Sequence, residues 1–206
     1  MIHFVVSIAL AAALVAATPS HAQSPLPGAP DVSRVEPGSY EVDPDHTMVV
    51  WTVSHMGVSP LSGAIGASDG TLELDPSDPG AAKVSVSFNI ADMTTTVPAF
   101  TQHLLSADFF DAEAHPTASF TSTSVEADGE KAKITGDLTL KGITRPITLE
   151  AEFFGAGINP MTKKLEIGFA ATGRINRSDF GLAFGVPDIT PDAVDLRISG
   201  AFRRAE

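Results

Sequence analysis

Between Val97 and Phe120, the two-residue alternation of apolar and polar positions gives way to a helical pattern. Apolar residues recur there at spacings of three and four, which indicates one face of a helix: Val97, Phe100, Leu104 and Leu105. Phe109 and Phe110 follow, before Pro116 forces an extended backbone. A short amphipathic helix in a strand-rich chain must bury its apolar face, so this stretch is predicted to lie on a sheet or across the open end of a barrel.

On both sides of this helix, apolar and polar residues alternate with the period of a β-strand. The alternating runs cover residues 46–55, 61–74, 84–90, 118–122, 134–140, 147–153, 165–173 and 194–202. Turn residues separate the runs, and Asp128-Gly129 is a strong hairpin signal. Amphipathic strands without a βαβ rhythm predict an antiparallel sandwich or barrel. Glycines inside the strand patterns favour the barrel, because they permit the sharp bends of a closing sheet.

The first residues are typical of an export signal. Residues 1–22 are mostly apolar and end in Ser20-His21-Ala22, which predicts a signal peptide cleaved after Ala22. The apolar run is shorter than the roughly 20 residues of a spanning helix, so we expect no stable membrane insertion. Residues 23–39 are rich in Pro, Gly and Ser and predict a flexible leader. Residues 40–206 are expected to form one domain.

Charge and cysteine content exclude several classes of function. The formal net charge of -12 repels nucleic acid, so we expect no nucleic-acid partner. The chain contains no cysteine, which excludes disulfides, thiol chemistry and cysteine-ligated metal. The fold must therefore be stabilised by its core.

Seven short motifs follow one another along residues 40–202: Tyr40-x-Val42-Asp43-x-x-His46-Thr47, Trp51-x-Val53-x-His55-x-Gly57, Ser62-Gly63, His103-Leu104-x-Ser106-x-Asp108-Phe109-Phe110-Asp111, Pro116-x-Ala118-x-Phe120, Gly136-Asp137-Leu138-Thr139-Leu140-x-Gly142 and Asn176-Arg177-Ser178-Asp179-Phe180-Gly181-Leu182. In this order and spacing they resemble the YceI-like family. The resemblance implies an all-β, lipocalin-like antiparallel β-barrel with one short helix. It also implies a periplasmic location and a polyisoprenoid or similar long-chain lipid bound in the lumen, and it suggests a homodimer.

The residues expected to contact such a ligand are mainly aromatic. Most lie near two segments that break the strand pattern, residues 97–120 and residues 176–182, and further candidates lie on the strands. His103 and Arg177 are the polar candidates, since a guanidinium has planar donors suited to a polar head group. For Arg177 the alternative is an ion pair or cap that holds its own turn. The full set is Trp51, Phe88, Phe100, His103, Leu104, Phe109, Phe120, Leu138, Phe169, Arg177, Phe180 and Phe184.

Catalysis and metal binding have little support in the sequence. His46 and His55 fall on opposite faces of one predicted strand, and the exported chain's histidines lack metal-ligand spacing, so we expect no metal and no cofactor. No Gly-x-Ser-x-Gly elbow occurs, and Glu150 and Glu152 share one strand face, so we expect no enzyme. Two alternatives stay open: a barrel filled by its own side chains that acts as a structural or protein-interaction module, and an enzyme acting on a lipid-like substrate.

Overall fold

The structure is a computed structural model that describes residues 26–205. Its strands are β1 (Gly28–Ala29), β2 (Gly38–Val42), β3 (Met48–His55), β4 (Ser59–Gly66), β5 (Asp69–Leu74), β6 (Lys83–Asn89), β7 (Thr117–Asp128), β8 (Lys131–Leu140), β9 (Ile143–Ile158), β10 (Leu165–Asn176) and β11 (Ala193–Arg204). The α-helix α1 spans Pro98–Leu105, and short 3-10 turns span Val32–Arg34, Pro79–Ala81, Ile90–Asp92 and Arg177–Phe180. The predicted signal peptide lies outside the described residues.

Eight strands close into an antiparallel ring, in the order β2, β5, β6, β7, β8, β9, β10, β11 and back to β2. Successive side chains of a strand point to opposite faces, so the apolar half of each alternating run faces the inside of this ring. The predicted barrel with one short helix is confirmed. None of the helices in the described part of the chain is long and apolar enough to cross a bilayer.

Strand β11 has two partners along the same edge. It pairs with β2 through Phe202–Arg204 and with β3 through Asp195–Ser199. β3 continues into the hairpin with β4, which extends the wall at one end of the ring. The outer edge of β4 is bridged by Ala64 and Thr94, whose backbone N–H groups donate to each other's carbonyl oxygens at 2.9 and 2.8 Å. This edge of β4, where in the described part of the chain a single bridge replaces a neighbouring strand, is called the seam.

Residues 61–74 and residues 28–37 are among the parts of the chain that differ from the sequence-based expectation. Residues 61–74, predicted as one strand, form β4 and β5, because the chain reverses at Ala67-Ser68. Residues 28–37, predicted to belong to a flexible leader, pack on the barrel: β1 pairs with β9 and the Val35 side chain joins the core. Val35 is an apolar side chain in an otherwise polar segment, and its burial favours the packed arrangement.

The turn between β2 and β3 is fixed by a buried carboxylate. Asp43 accepts a hydrogen bond from Arg203 on β11 at 2.6 Å, and its other contacts are His46 Nδ1 at 2.6 Å and the Asp45 backbone N–H at 3.1 Å. His46 therefore lies in this turn, before β3 begins, and not in one strand with His55 as predicted. A buried carboxylate needs such partners, because burying an unpaired charge is costly.

Candidate functional site

The barrel encloses a cavity of about 690 Å³. Most of its wall consists of inward-facing side chains from alternate strand positions, as in Val84, Val86 and Phe88 of β6. The facing strands contribute in the same way: Ile134, Leu138 and Leu140 from β8, Ile147, Leu149, Ala151 and Phe153 from β9, and Leu196, Ile198 and Phe202 from β11. Such a volume lies within the range of about 300–1,000 Å³ that is typical of small-molecule sites.

The cavity reaches both ends of the barrel. We call one end the mouth, formed by residues 56–58, 98–116 and 181–192, and the other the base, formed by residues 32–35, 79–82 and 128–132. Phe184, Ile189 and Thr190 line the cavity at the mouth, and Val32 and Lys131 line it at the base. An apolar space that extends between the two ends of the barrel is suited to an extended hydrophobic chain.

Helix α1 covers part of the mouth. Pro98 occupies its first turn, where the missing N–H of proline costs nothing. The Leu104 side chain is 5% exposed and points into the cavity wall. After the helix, the backbone N–H of Phe110 donates to the carbonyl oxygen of Leu104 at 3.0 Å, which folds the following turn back against it. Val97, predicted to lie on the buried face, is 53% exposed because it is the residue that precedes the helix.

Three aromatic rings meet at the mouth. The His103 ring packs edge-on against Phe109 and Phe184, with centroid distances of 5.0 and 5.5 Å, and the two phenyl rings lie 5.2 Å apart. This cluster joins α1, the turn after it and the loop 181–192. It gives the entrance an apolar surface, with one imidazole as a polar group.

Arg177 holds the loop that forms the other side of the mouth. Its guanidinium donates to the carbonyl oxygens of Leu182 at 2.8 Å, Phe184 at 2.9 Å and Pro191 at 3.2 Å, and to both the carbonyl at 3.4 Å and the hydroxyl of Thr190. A guanidinium has five N–H donors, and these five bonds use them all. The local turn does form at Arg177–Phe180 as predicted, but the partners of Arg177 are loop carbonyls and not Asp179, which is exposed.

The ionisation of Arg177 and of the neighbouring Asp192 follows from their surroundings. Arg177 is 6% exposed, and loss of solvation lowers the pKa of its guanidinium, while the Asp192 carboxylate opposes that shift. Hydrogen bonds from the Ser178 hydroxyl at 2.6 Å and backbone N–H at 2.8 Å lower the pKa of Asp192. Asp192 therefore remains ionised near neutral pH and partly balances the buried charge of Arg177.

Trp51 lies on the cavity wall beside the seam of β4. Its indole covers Gly63, the residue directly opposite on β4, so closely that a methyl group added at Gly63 would lie 2.3 Å from Trp51 Cζ2. The indole Nε1 is buried and has no hydrogen-bond partner among residues 26–205. Glycine at position 63 is therefore what allows the large ring to close this part of the wall.

Eleven of the twelve predicted contact residues line the cavity: Trp51, Phe88, Phe100, His103, Leu104, Phe109, Phe120, Leu138, Phe169, Arg177 and Phe184. Phe180 does not. Its ring is 1% exposed and packs in a core cluster with Phe120, Leu149 and Leu182. The strand alternation could not place it, because Phe180 lies in the 3-10 turn where that alternation stops.

Parts of the cavity wall that come from irregular segments were not predicted from the sequence. Ile189 and Thr190 reach the mouth from the loop held by Arg177, and Val32, Ser33 and Val35 close the base. The available signal was weak: Asp31-Val32-Ser33 is a turn-forming sequence, and the Asp31 carboxylate accepts a hydrogen bond from the Ser33 backbone N–H at 3.0 Å.

The histidines and several carboxylates are the residues for which the sequence predicts no metal-binding or catalytic role. Within the described part of the chain, no group of three or more His, Asp or Glu side chains could hold a metal ion. His46 contacts Asp43, His55 and His103 lie on the cavity wall, and His115 lies against Gly142. Glu150 is exposed and contacts Lys133 at 3.9 Å.

Comparison with known proteins agrees with this geometry. Residues 40–202 match the profile of the family described as the YceI-like domain. Protein YceI of Escherichia coli O157:H7 is 41% identical over 162 residues, covering 78% of this chain and 84% of that protein. The Campylobacter jejuni YCEI protein has a solved structure with a TM-score of 0.61 and 31% identity, covering 74% and 90% of the two chains. A polyisoprenoid binding domain from Saccharophagus degradans has the same fold, with a TM-score of 0.60 and 11% identity, covering 81% and 98%.

Proposed function

Because this chain belongs to the YceI-like domain family, we propose that it binds a polyisoprenoid or another long-chain amphiphilic lipid in its barrel lumen. The observation that carries this proposal is the apolar cavity of about 690 Å³. Each methylene moved from water into such a cavity contributes about 0.8 kcal/mol. An extended chain can therefore bind tightly without any pairing of charges.

The cavity also weighs against the main alternative. A barrel filled by its own side chains would leave little internal space, because protein interiors pack as densely as organic crystals. Here Phe88, Leu138 and Phe169 face a space that they do not fill. A barrel that is only a structural or protein-interaction module does not need that space.

The polar groups at the mouth favour binding over catalysis. Arg177 uses its five donors on the loop, and His103 packs between two phenyl rings. A general base needs a hydrogen-bond partner that orients it, and a nucleophile needs such a base. The function proposed is therefore that of a lipid carrier or store, located in the periplasm after export.

The first experiment is to purify the protein from its own periplasm, extract it with organic solvent and identify the lipid by mass spectrometry. We expect about one lipid per chain. A separate folded sample, freed of bound lipid, is then titrated with a long prenyl lipid. The emission of Trp51, the single tryptophan of the chain, is followed during the titration. Native mass spectra that show only the bare polypeptide, before and after titration, would contradict the proposal. Conversion of the lipid into a new product would favour the enzyme.

Two phenylalanines provide matched variants for this titration. Phe184 is 49% exposed at the mouth, whereas Phe154 is 75% exposed and does not line the cavity. We expect Phe184→Asp to weaken lipid binding by about tenfold or more, which corresponds to about 1.4 kcal/mol. Phe154→Asp should leave the affinity unchanged and should not lower Tm by more than a few degrees, because its side chain is largely exposed. Phe184 packs against His103 and Phe109, so Phe184→Asp is expected to lower Tm moderately, and the titration is done well below the Tm of that variant. Equal affinities for the two variants would place the ligand elsewhere.

A further inference from the structure

The charges around the mouth contain information about the ligand's head group. The three segments that form the mouth contain five carboxylates and no lysine or arginine: Asp108, Asp111, Glu113, Asp188 and Asp192. At short range in a poorly solvated site, repulsion between like charges is strong, and over the Debye length of roughly 8 Å at physiological salt it still acts on a group at the rim. The mouth is therefore unfavourable for an anion.

The cations beside the mouth already have partners within the protein. Arg174, which lines a surface pocket with Gly57 and Val58, donates to the Asp195 carboxylate at 2.6 Å. Arg177 donates all five of its N–H groups to carbonyl and hydroxyl oxygens of residues 182–191. Lys141 donates from Nζ to the carbonyl oxygen of Ala107 at 3.2 Å. For Arg177 to bind an anion it would have to give up bonds that hold the loop. The buried cation therefore positions the loop and is not an open site for a phosphate.

The base does not offer a better anion site. Lys131 stands directly opposite Glu152 across β8 and β9, and Glu130 precedes it in the chain. Arg34, the other cation there, lies 3.5 Å from Asp31 and donates to the Pro27 carbonyl oxygen at 3.1 Å. Each cation at the base is thus accompanied by at least one carboxylate.

We infer that the bound lipid has an uncharged head group, such as a prenyl alcohol or a prenyl quinone, and that the site discriminates against prenyl phosphates. This inference rests on the proposed function and specifies its ligand class. A phosphate monoester carries a charge of about -1.5 to -2 at pH 7. Bringing it to this mouth would require an anion to lose water next to several carboxylates, which is costly. A neutral oxygen avoids that cost.

The test compares geranylgeraniol with geranylgeranyl phosphate, which share one hydrocarbon chain, by titrating lipid-free protein and following Trp51 emission and native mass spectra. We expect the alcohol to bind at least tenfold more tightly at low salt. The difference should become smaller as salt screens the carboxylates. Equal or tighter binding of the phosphate would overturn this inference and leave the proposed function intact. If neither lipid binds, the proposed function itself fails.

A pair of charge-reversal variants tests the local origin of the effect. Asp188 lies in the mouth next to Ile189, and Asp137 is exposed on the outer face of β8. Asp188→Lys and Asp137→Lys change the net charge equally. We expect Asp188→Lys to raise the affinity for the phosphate several-fold without changing that for the alcohol, whereas Asp137→Lys changes neither. An equal gain in both variants would show that the net charge, and not the mouth, excludes the phosphate, and would overturn the inference.

Discussion

Tyr40, the single tyrosine of the chain, links the N-terminal segment to the barrel. Its side chain is 0% exposed, and its hydroxyl donates to the carbonyl oxygen of Glu36. Loss of solvation raises the pKa of the Tyr40 phenol above its usual value of about 10. Folding thus favours the neutral phenol, and the stability that this provides is complete below about pH 10 and is lost as the pH rises through the higher pKa of the folded state.

Tyr40 ionisation can be measured directly, because no other tyrosine contributes to the phenolate absorbance. We expect the native protein to show no phenolate until the pH is above about 10, and phenolate should then appear together with loss of circular dichroism. The chain unfolded in urea is the control and should titrate near pH 10. Phenolate formation near pH 10 in a protein that stays folded would show that Tyr40 is not shielded as the structure indicates.

The contacts of some single residues could not be predicted from the sequence. The motif around Arg177 marked a special turn, and the turn is present. The partners of Arg177 could not be predicted, because they are backbone carbonyls up to fourteen positions away, which leave no pattern of residue types. The same reason explains Phe180, whose burial depends on the path of that turn.

Among the elements of residues 26–205, β4 has another β-strand as a partner on one side only. It pairs with β3 along its length, while its other edge carries the bridge between Ala64 and Thr94. The Trp51 ring seals the wall by lying over Gly63. The close packing of Trp51 at the seam requires glycine at position 63, since a side chain there would meet both the indole ring and the Thr94 carbonyl oxygen.

Two glycines of β4 allow a controlled test of this seal. A methyl group at Gly63 would lie 2.3 Å from Trp51 Cζ2 and 2.8 Å from the Thr94 oxygen, whereas at Gly66 the nearest atom is 3.9 Å away. We expect Gly63→Ala to lower the free energy of unfolding by about 1–3 kcal/mol, the cost of overpacking, and to shift Trp51 emission. Gly66→Ala should change stability by about 0.5 kcal/mol or less. Urea unfolding measures both, and similar losses would argue against the close contact.

The elements were largely predictable and their ends were not. Strand alternation identified most of the barrel, because one face of each strand is buried and the other is solvated. The helix was recognisable from four apolar positions, although Val97 proved to be exposed. The break between β4 and β5 was hidden, since Gly66, Ala67 and Ser68 are compatible with both a strand and a turn.

At the scale of the whole molecule, residues 28–37 complete the base. They add β1 to β9, place Val35 in the core and bring Glu36 to Arg204. Composition alone predicted a flexible leader for this segment. A segment rich in Pro and Gly can nevertheless be ordered when another surface supplies its hydrogen bonds and apolar contacts, as the barrel does here. The barrel was predictable from the pattern, but the cavity was not, since its volume depends on how far opposite walls lie apart.

Removing this segment tests its role. We expect a chain that starts at Gly38 to be less stable than one that starts at Leu26 by at least about 2 kcal/mol, since burial of Val35 alone is worth about 1.5–3 kcal/mol. It should also release bound lipid faster, because Val32 and Ser33 no longer close the base. Urea unfolding and the decay of Trp51 fluorescence after dilution measure the two effects. Equal stability and equal release rates for the two chains would show that residues 28–37 do not contribute to the fold and act only as a leader.

The apolar cavity has a thermodynamic consequence for the protein itself. Side chains on a cavity wall make fewer dispersion contacts within the protein than side chains in a dense core. Under the proposed function, a bound lipid chain would supply such contacts and would bind the folded state in preference to the unfolded one. By mass action, a lipid at one hundred times its Kd stabilises the fold by about 2.7 kcal/mol. If the proposed function is correct, the lifetime of the protein is coupled to the supply of this lipid.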